Sequence, residues 1–124
     1  MISLAHCEEP VMEQFQLRFD KRVPKLEKES KWETAANIVL EEWKNDPNDL
    51  NALLCAGTQL WYTLLMMDYI RNDPSSPIDI EIVPDLQLQK DLMDVTRYGF
   101  AHFAHNPIFN AYFGYMISVM PYFF

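Results

Sequence analysis

KWETAANIVLEEWKNDPNDLNALLCAGTQLWYTLL, residues 31–65, is the stretch whose pattern sets the fold class of this chain. Trp32, Ala35, Ala36, Val39, Leu40 and Trp43 recur at intervals of three and four, so a helix gathers them on one face. Asp46-Pro47 then stops that helix, because proline disfavours the helical conformation in the residue before it. Asp49 can cap a new helix. Leu53, Leu54, Ala56, Gly57, Leu60, Trp61, Leu64, Leu65 and Tyr69 give this second helix apolar residues on much of its circumference, the pattern of a helix at the centre of a bundle.

The flanking sequence extends the same grammar. Upstream, Pro10 can open a helix with Val11, Phe15, Leu17 or Arg18, and Phe19 along one stripe, ending near Arg22; Pro24 or Ser30 restarts it. Downstream, RNDPSSPIDIEIVPD (71–85) sets Pro74, Pro77 and Pro84 around an alternation of Ile78, Ile80 and Ile82 with Asp79 and Glu81. A period of two predicts extended chain with the isoleucines facing the body. Asp85 can cap a further helix through Leu86, Leu88, Leu92, Val95 and Phe100 to about His105, where HNP ends it. A last helix begins near Ile108 or Phe109. Glycine is scarce, at three residues. The expected fold is all-α: a single domain over 1–124 with about five helices and one Pro-bracketed, extended, acidic loop at 72–84. The joints NDPNDLNALL and HNPIFNAYF resemble each other and read as the trace of an internal duplication about 60 residues apart.

Composition limits the function classes. A chain of 124 residues, 49% hydrophobic and 23% charged, has the balance of a globular protein. Its net charge of -8 argues against nucleic acid and anionic membrane as partners and toward a basic protein. Acids and bases balance up to Lys31, so the whole acidic surplus lies beyond it. The two cysteines, Cys7 and Cys55, do not suggest a disulfide framework, which is the usage of a reducing cytoplasm. From Tyr98 onward there is no Asp, Glu, Lys or Arg, yet the uncharged apolar run 108–124 is shorter than the about 20 residues a membrane span needs.

Trp32, Ala35, Val39 and Pro47, followed by Leu53 and Gly57, resemble the tetratricopeptide repeat in their order and spacing. Trp32 falls at its large aromatic slot, Ala35 at a small slot, Val39 at a core slot, Pro47 at the terminal turn, and Gly57 where paired helices approach closely. The resemblance covers about a fifth to a quarter of the chain. Glu42 stands where the family has a second alanine, Gly114 comes early for its slot, and the repeat period of about 34 residues is missing. What the resemblance implies is antiparallel helical hairpins and protein binding in a groove.

Catalytic signals are sparse. His102 and His105 have a spacing that could serve one metal ion, but a zinc site needs further ligands. Against that stands a helix end, where histidine suits the dipole. Glu41 with Glu42, and Asp91 with Asp94, could be imagined as carboxylate pairs for acid-base work; solvated helix faces explain them better. Cys7 beside His6 has no third orienting group. No cofactor is implied.

Two surfaces are candidates for binding. Asp73, Asp79, Glu81, Asp85, Asp91 and Asp94 would form one acidic field that docks a basic partner, or else a solubilising edge. Tyr122, Phe123 and Phe124 would form an aromatic interface, with Phe113, Ile117 and Val119 turned into the core. The apolar face of the last helix needs a cover: the N-terminal helix, a second copy forming a homodimer, or the partner. By type the chain resembles bacterial immunity proteins, which neutralise a cognate, often cationic, nuclease toxin. The alternative is a tetratricopeptide-like chaperone or adaptor holding an apolar peptide or helix in a groove with Asn37, Asn51 and Asn110. A metal-dependent enzyme at His102 and His105 is the third reading.

Overall fold

A computed structural model describes residues 16–71 and 85–124. The described chain is helical, with α1 at Arg22–Lys28, α2 at Trp32–Asn45, α3 at Leu50–Arg71, α4 at Asp85–His102 and α5 at Pro107–Val119, then a short 3-10 turn at Pro121–Phe123. No strand occurs among the described residues. The all-α expectation holds. The expected extended loop at 72–84 lies outside the described residues, as does the part of the expected first helix before Gln16.

The expected first helix is wrong at its C-terminal end. Residues 16–20 are not helical, and α1 starts only at Arg22. The backbone of Arg18 explains this: its N–H donates to Asn51 Oδ1 at 2.9 Å, and its carbonyl accepts from Asn51 Nδ2 at 3.1 Å. One turn along α3, the Cys55 thiol approaches the same carbonyl at 3.5 Å. Both backbone groups are thereby committed to α3 rather than to a helical ladder. Leu17 and Phe19 pack beside Val23, Ala35, Val39 and Cys55. Residues 16–20 thus form a strap along α3.

Local signals set the other boundaries. At the end of α1, Ser30 adopts a left-handed φ of 59° while Lys31 N–H bonds Leu26 O at 2.8 Å and Ser30 N–H bonds Glu27 O at 3.0 Å. That is the Schellman closure, here with serine where glycine is usual. Asp49 Oδ1 accepts from Asn51 N–H at 3.1 Å at the start of α3, as its capping role predicts. Asn106 caps α5 by accepting from Ile108 N–H at 2.9 Å and Phe109 N–H at 3.1 Å, with Pro107 at the first helical position. α4 ends at His102, short of His105.

α3 is central and packs against α2, α4 and α5. Leu53, Leu54, Ala56 and Leu60 are fully buried on it, together with the polar Gln59 and Thr63. Among the described residues it is the one helix long and apolar enough to cross a membrane; in this bundle most of that stretch is buried. Two glycines let large rings in. Gly57 faces Phe113, whose Cζ would lie 2.6 Å from an added Cβ, and Gly99 on α4 faces the ring of Phe109 in still closer contact. Phe109 and Phe113 are both fully buried and stack at 4.6 Å. Burying each such ring stabilises the fold by about 1.5–3 kcal/mol.

Candidate functional site

A groove of about 500 Å³ opens between α3 and α5 and is closed along one side by the strap and α1. Helical spacing builds its walls. Thr58, Gln59, Trp61 and Tyr62 come from α3, and Ala111, Tyr112, Tyr115 and Met116 from α5, each set spanning neighbouring turns of one face. Leu17 and Phe19 reach in from the strap, and Glu27 from α1. Trp61 meets Tyr115 edge-on at 6.2 Å across the groove, and Tyr62 meets Trp32 at 5.8 Å on the outer side.

Among the described residues Glu27 is the one charged residue of this lining. Its Oε2 accepts from Gln59 Nε2 at 3.1 Å, and Gln59 itself is only 3% exposed. A buried amide is stable where it is hydrogen-bonded. The pair therefore ties α1 to α3 and holds a carboxylate at the end of an otherwise apolar trough.

Of the acidic candidates, the three described ones lie apart from this groove. Asp85 stands in the first turn of α4, Asp94 is exposed, and Asp91 accepts from Gln87 Nε2 at 2.9 Å. Asp91 shares a shallow cleft with Glu33 of α2, and no residue of that cleft lines the groove. Asp73, Asp79 and Glu81 lie outside the described residues.

The aromatic candidates divide differently from expectation. Phe123 is 8% exposed and belongs to the main core, while Phe124 packs edge-on against Phe113 at 6.4 Å. The 3-10 turn folds both rings back onto the bundle, so Phe123 is not a free anchor. Tyr122 lies in the same turn. Val119, expected on the core side, is 45% exposed, while Phe113 is fully buried as expected.

The remaining groups are structural in their contacts. His102 stacks on Tyr98 at 4.0 Å, and the Tyr98 hydroxyl donates to Asn48. His105 sits exposed in the following turn, and among the described residues no three His, Cys, Asp or Glu side chains cluster to hold a metal ion. Cys55 is a buried free thiol, pushed up to about 12 first by burial and then by Glu42 and Asp49, so it is held protonated. Cys7 lies outside the described residues. Glu41 and Glu42 are exposed. Asn51 clasps the strap, Asn110 Nδ2 donates to Ala104 O at 2.9 Å, and Asn37 lies on α2; none lines the groove. The one ion pair among the described residues joins Arg22 to Asp20 at 2.7 Å, and Arg22 holds the Asp20 carboxyl well below the usual carboxylate range.

Sequence reasoning missed Glu27 and the strap because both enter the site through tertiary contacts, Glu27 meeting Gln59 across 32 positions of sequence. Gln59 was detectable as a polar residue inside an apolar run. No protein-family model, no characterised protein and no solved structure matches the chain.

Proposed function

We propose that this chain acts without catalysis, by binding another protein, and that the groove between α3 and α5 receives an apolar segment of that partner. The groove's make-up carries the reading: about 500 Å³ walled by Trp61, Tyr62, Tyr112, Tyr115 and Met116, with one charged side chain among the described residues. That volume is in the range of ligand pockets, and these residue types concentrate at the centres of protein interfaces. In the tetratricopeptide resemblance, α3 and α5 are the helices that open successive hairpins, and binding in such a groove is what the resemblance implies.

The partner proposed is basic. A net charge of -8, with Glu41, Glu42 and Asp94 exposed, would steer a cationic protein. A cytoplasmic immunity protein fits this pairing: it would neutralise a nuclease-type toxin by covering the surface that holds phosphate. Asp85, Asp91 and Asp94, with Asp73, Asp79 and Glu81, would guide the encounter. The adaptor reading is favoured by the apolar walls alone and predicts binding that salt leaves unchanged.

Co-expression with a basic protein encoded beside this chain, followed by affinity capture, tests the proposal. Capture should be lost on Ala111→Trp, which fills the groove from an exposed position. It should weaken about tenfold on Asp91→Lys with Asp94→Lys. Capture that survives Ala111→Trp rules the groove out, and capture indifferent to salt and to the charge reversals replaces immunity-type binding with the adaptor.

A further inference from the structure

We infer that the groove is a pocket for one arginine side chain flanked by apolar residues, with the Glu27 carboxylate receiving its guanidinium. The inference rests on the protein-binding reading and specifies what the groove reads in its partner.

Three observations converge. First, the charge of the lining is single and negative: among the described residues Glu27 is its one charged side chain, with no lysine, arginine or histidine. Among the described residues Glu27 makes no ion pair. Second, its carboxylate is already oriented. Gln59 Nε2 occupies Oε2 at 3.1 Å, and Oε1 has no hydrogen-bond partner among the described residues. A carboxylate accepts at both oxygens, so Oε1 and the remaining lone pair of Oε2 are adjacent acceptors for a ligand. A guanidinium is all donor and forked, which matches two adjacent acceptors better than a single ammonium does. Third, the walls include the aromatic rings of Trp61, Tyr112 and Tyr115. Aromatic faces attract a planar cation, more strongly where water is excluded. The apolar remainder suits the methylene stem of arginine and the neighbouring residues of an extended segment.

A neutral apolar segment would fill the same volume but leave Glu27 desolvated without a counter-charge, a cost that disfavours it. Charge therefore sets the preference of a groove whose shape is set by aromatic walls.

The test uses capped tripeptides, Ac-Leu-Arg-Phe-amide against its neutral isostere with citrulline in place of arginine, titrated by calorimetry with amide chemical shifts locating the site. The arginine peptide should bind about tenfold tighter than the citrulline peptide. Glu27→Gln, which keeps the side chain's shape, should erase that preference, and Ala111→Trp should abolish both peptides' binding while the thermal melt stays cooperative. Equal binding of the two peptides overturns the inference, as does a preference that persists in Glu27→Gln, or no binding of either. If neither peptide binds while capture of the protein partner is still lost on Ala111→Trp, protein binding through the groove stands and the arginine pocket fails. If the arginine preference holds while partner capture ignores Ala111→Trp, the pocket stands and the proposed function fails.

Discussion

Gly99 and Gly114 occupy neighbouring helices, and replacement by alanine should move stability in opposite directions. Alanine favours a helix interior over glycine by about 0.8–1.0 kcal/mol. At Gly114 an added Cβ meets nothing within 4 Å, so Gly114→Ala should stabilise by roughly that amount. At Gly99 the Cβ would strike the Phe109 ring, itself wedged between Phe100 at 5.2 Å and Phe113 at 4.6 Å. Overpacking of about 1–3 kcal/mol then exceeds the propensity gain, and Gly99→Ala should lower the urea midpoint. Cys55 gives a pH signature. Its folded thiol is pushed up to about 12 from an ordinary value of 9.0, so above pH 9.0 the unfolded chain loses this proton first. Stability from this thiol is complete below the unfolded value and is lost as pH climbs toward the folded one. Urea midpoints measured through the alkaline range should therefore fall less steeply in Cys55→Ala than in the parent chain.

The strap matters most among the elements, and the sequence concealed it. Phe15 and Phe19, four apart, fit one stripe of a helix, whereas Leu17 and Phe19, two apart, fit an extended segment whose alternate residues face inward. Periodicity over so few positions does not separate the two. The tertiary bond from Asn51 decides, by taking both backbone groups of Arg18 at 2.9 Å and 3.1 Å. Asn51→Ala should cost about 1–2 kcal/mol, since two exchanged hydrogen bonds are lost and the Arg18 groups must find water. Hydrogen exchange of the Arg18 amide should quicken in the variant while the α3 interior keeps its protection; unchanged exchange would mean the strap is held by Leu17 and Phe19 alone. The hairpin α2–α3, by contrast, was legible residue by residue. Trp32, Ala35, Val39 and Leu53 are buried where their spacing put them, and Asp49 caps where a capping residue was expected. The second joint was legible as a helix boundary only. Pro107 begins α5 after the Asn106 cap, whereas Pro47 sits in a turn before the Asp49 cap, so Asn110 and Asn51 are not equivalent in their helices.

At the scale of the whole molecule, the apolar face of the last helix finds its cover from several directions. α3 takes Phe113, the 3-10 turn returns Phe123 and Phe124 onto it, and the strap brings Leu17 and Phe19 to the edge of what is left. What is left is the groove, which sequence patterning could not locate because its walls come from four separate segments. The chain as a whole carries a net charge of -8, and the described acidic candidates lie outside the groove. Like charges held close in a compact chain repel, and unfolding separates them. Salt at about 0.1 M shortens the reach of that repulsion to roughly 10 Å. The thermal midpoint of the isolated chain should therefore rise by a few degrees between about 10 mM and about 300 mM sodium chloride. Affinity for a basic partner should fall over the same range, because there screening weakens attraction rather than repulsion. Opposite slopes in melting and in binding would assign the surplus carboxylates to the partner; a midpoint that falls with salt would mean they are already compensated inside the fold.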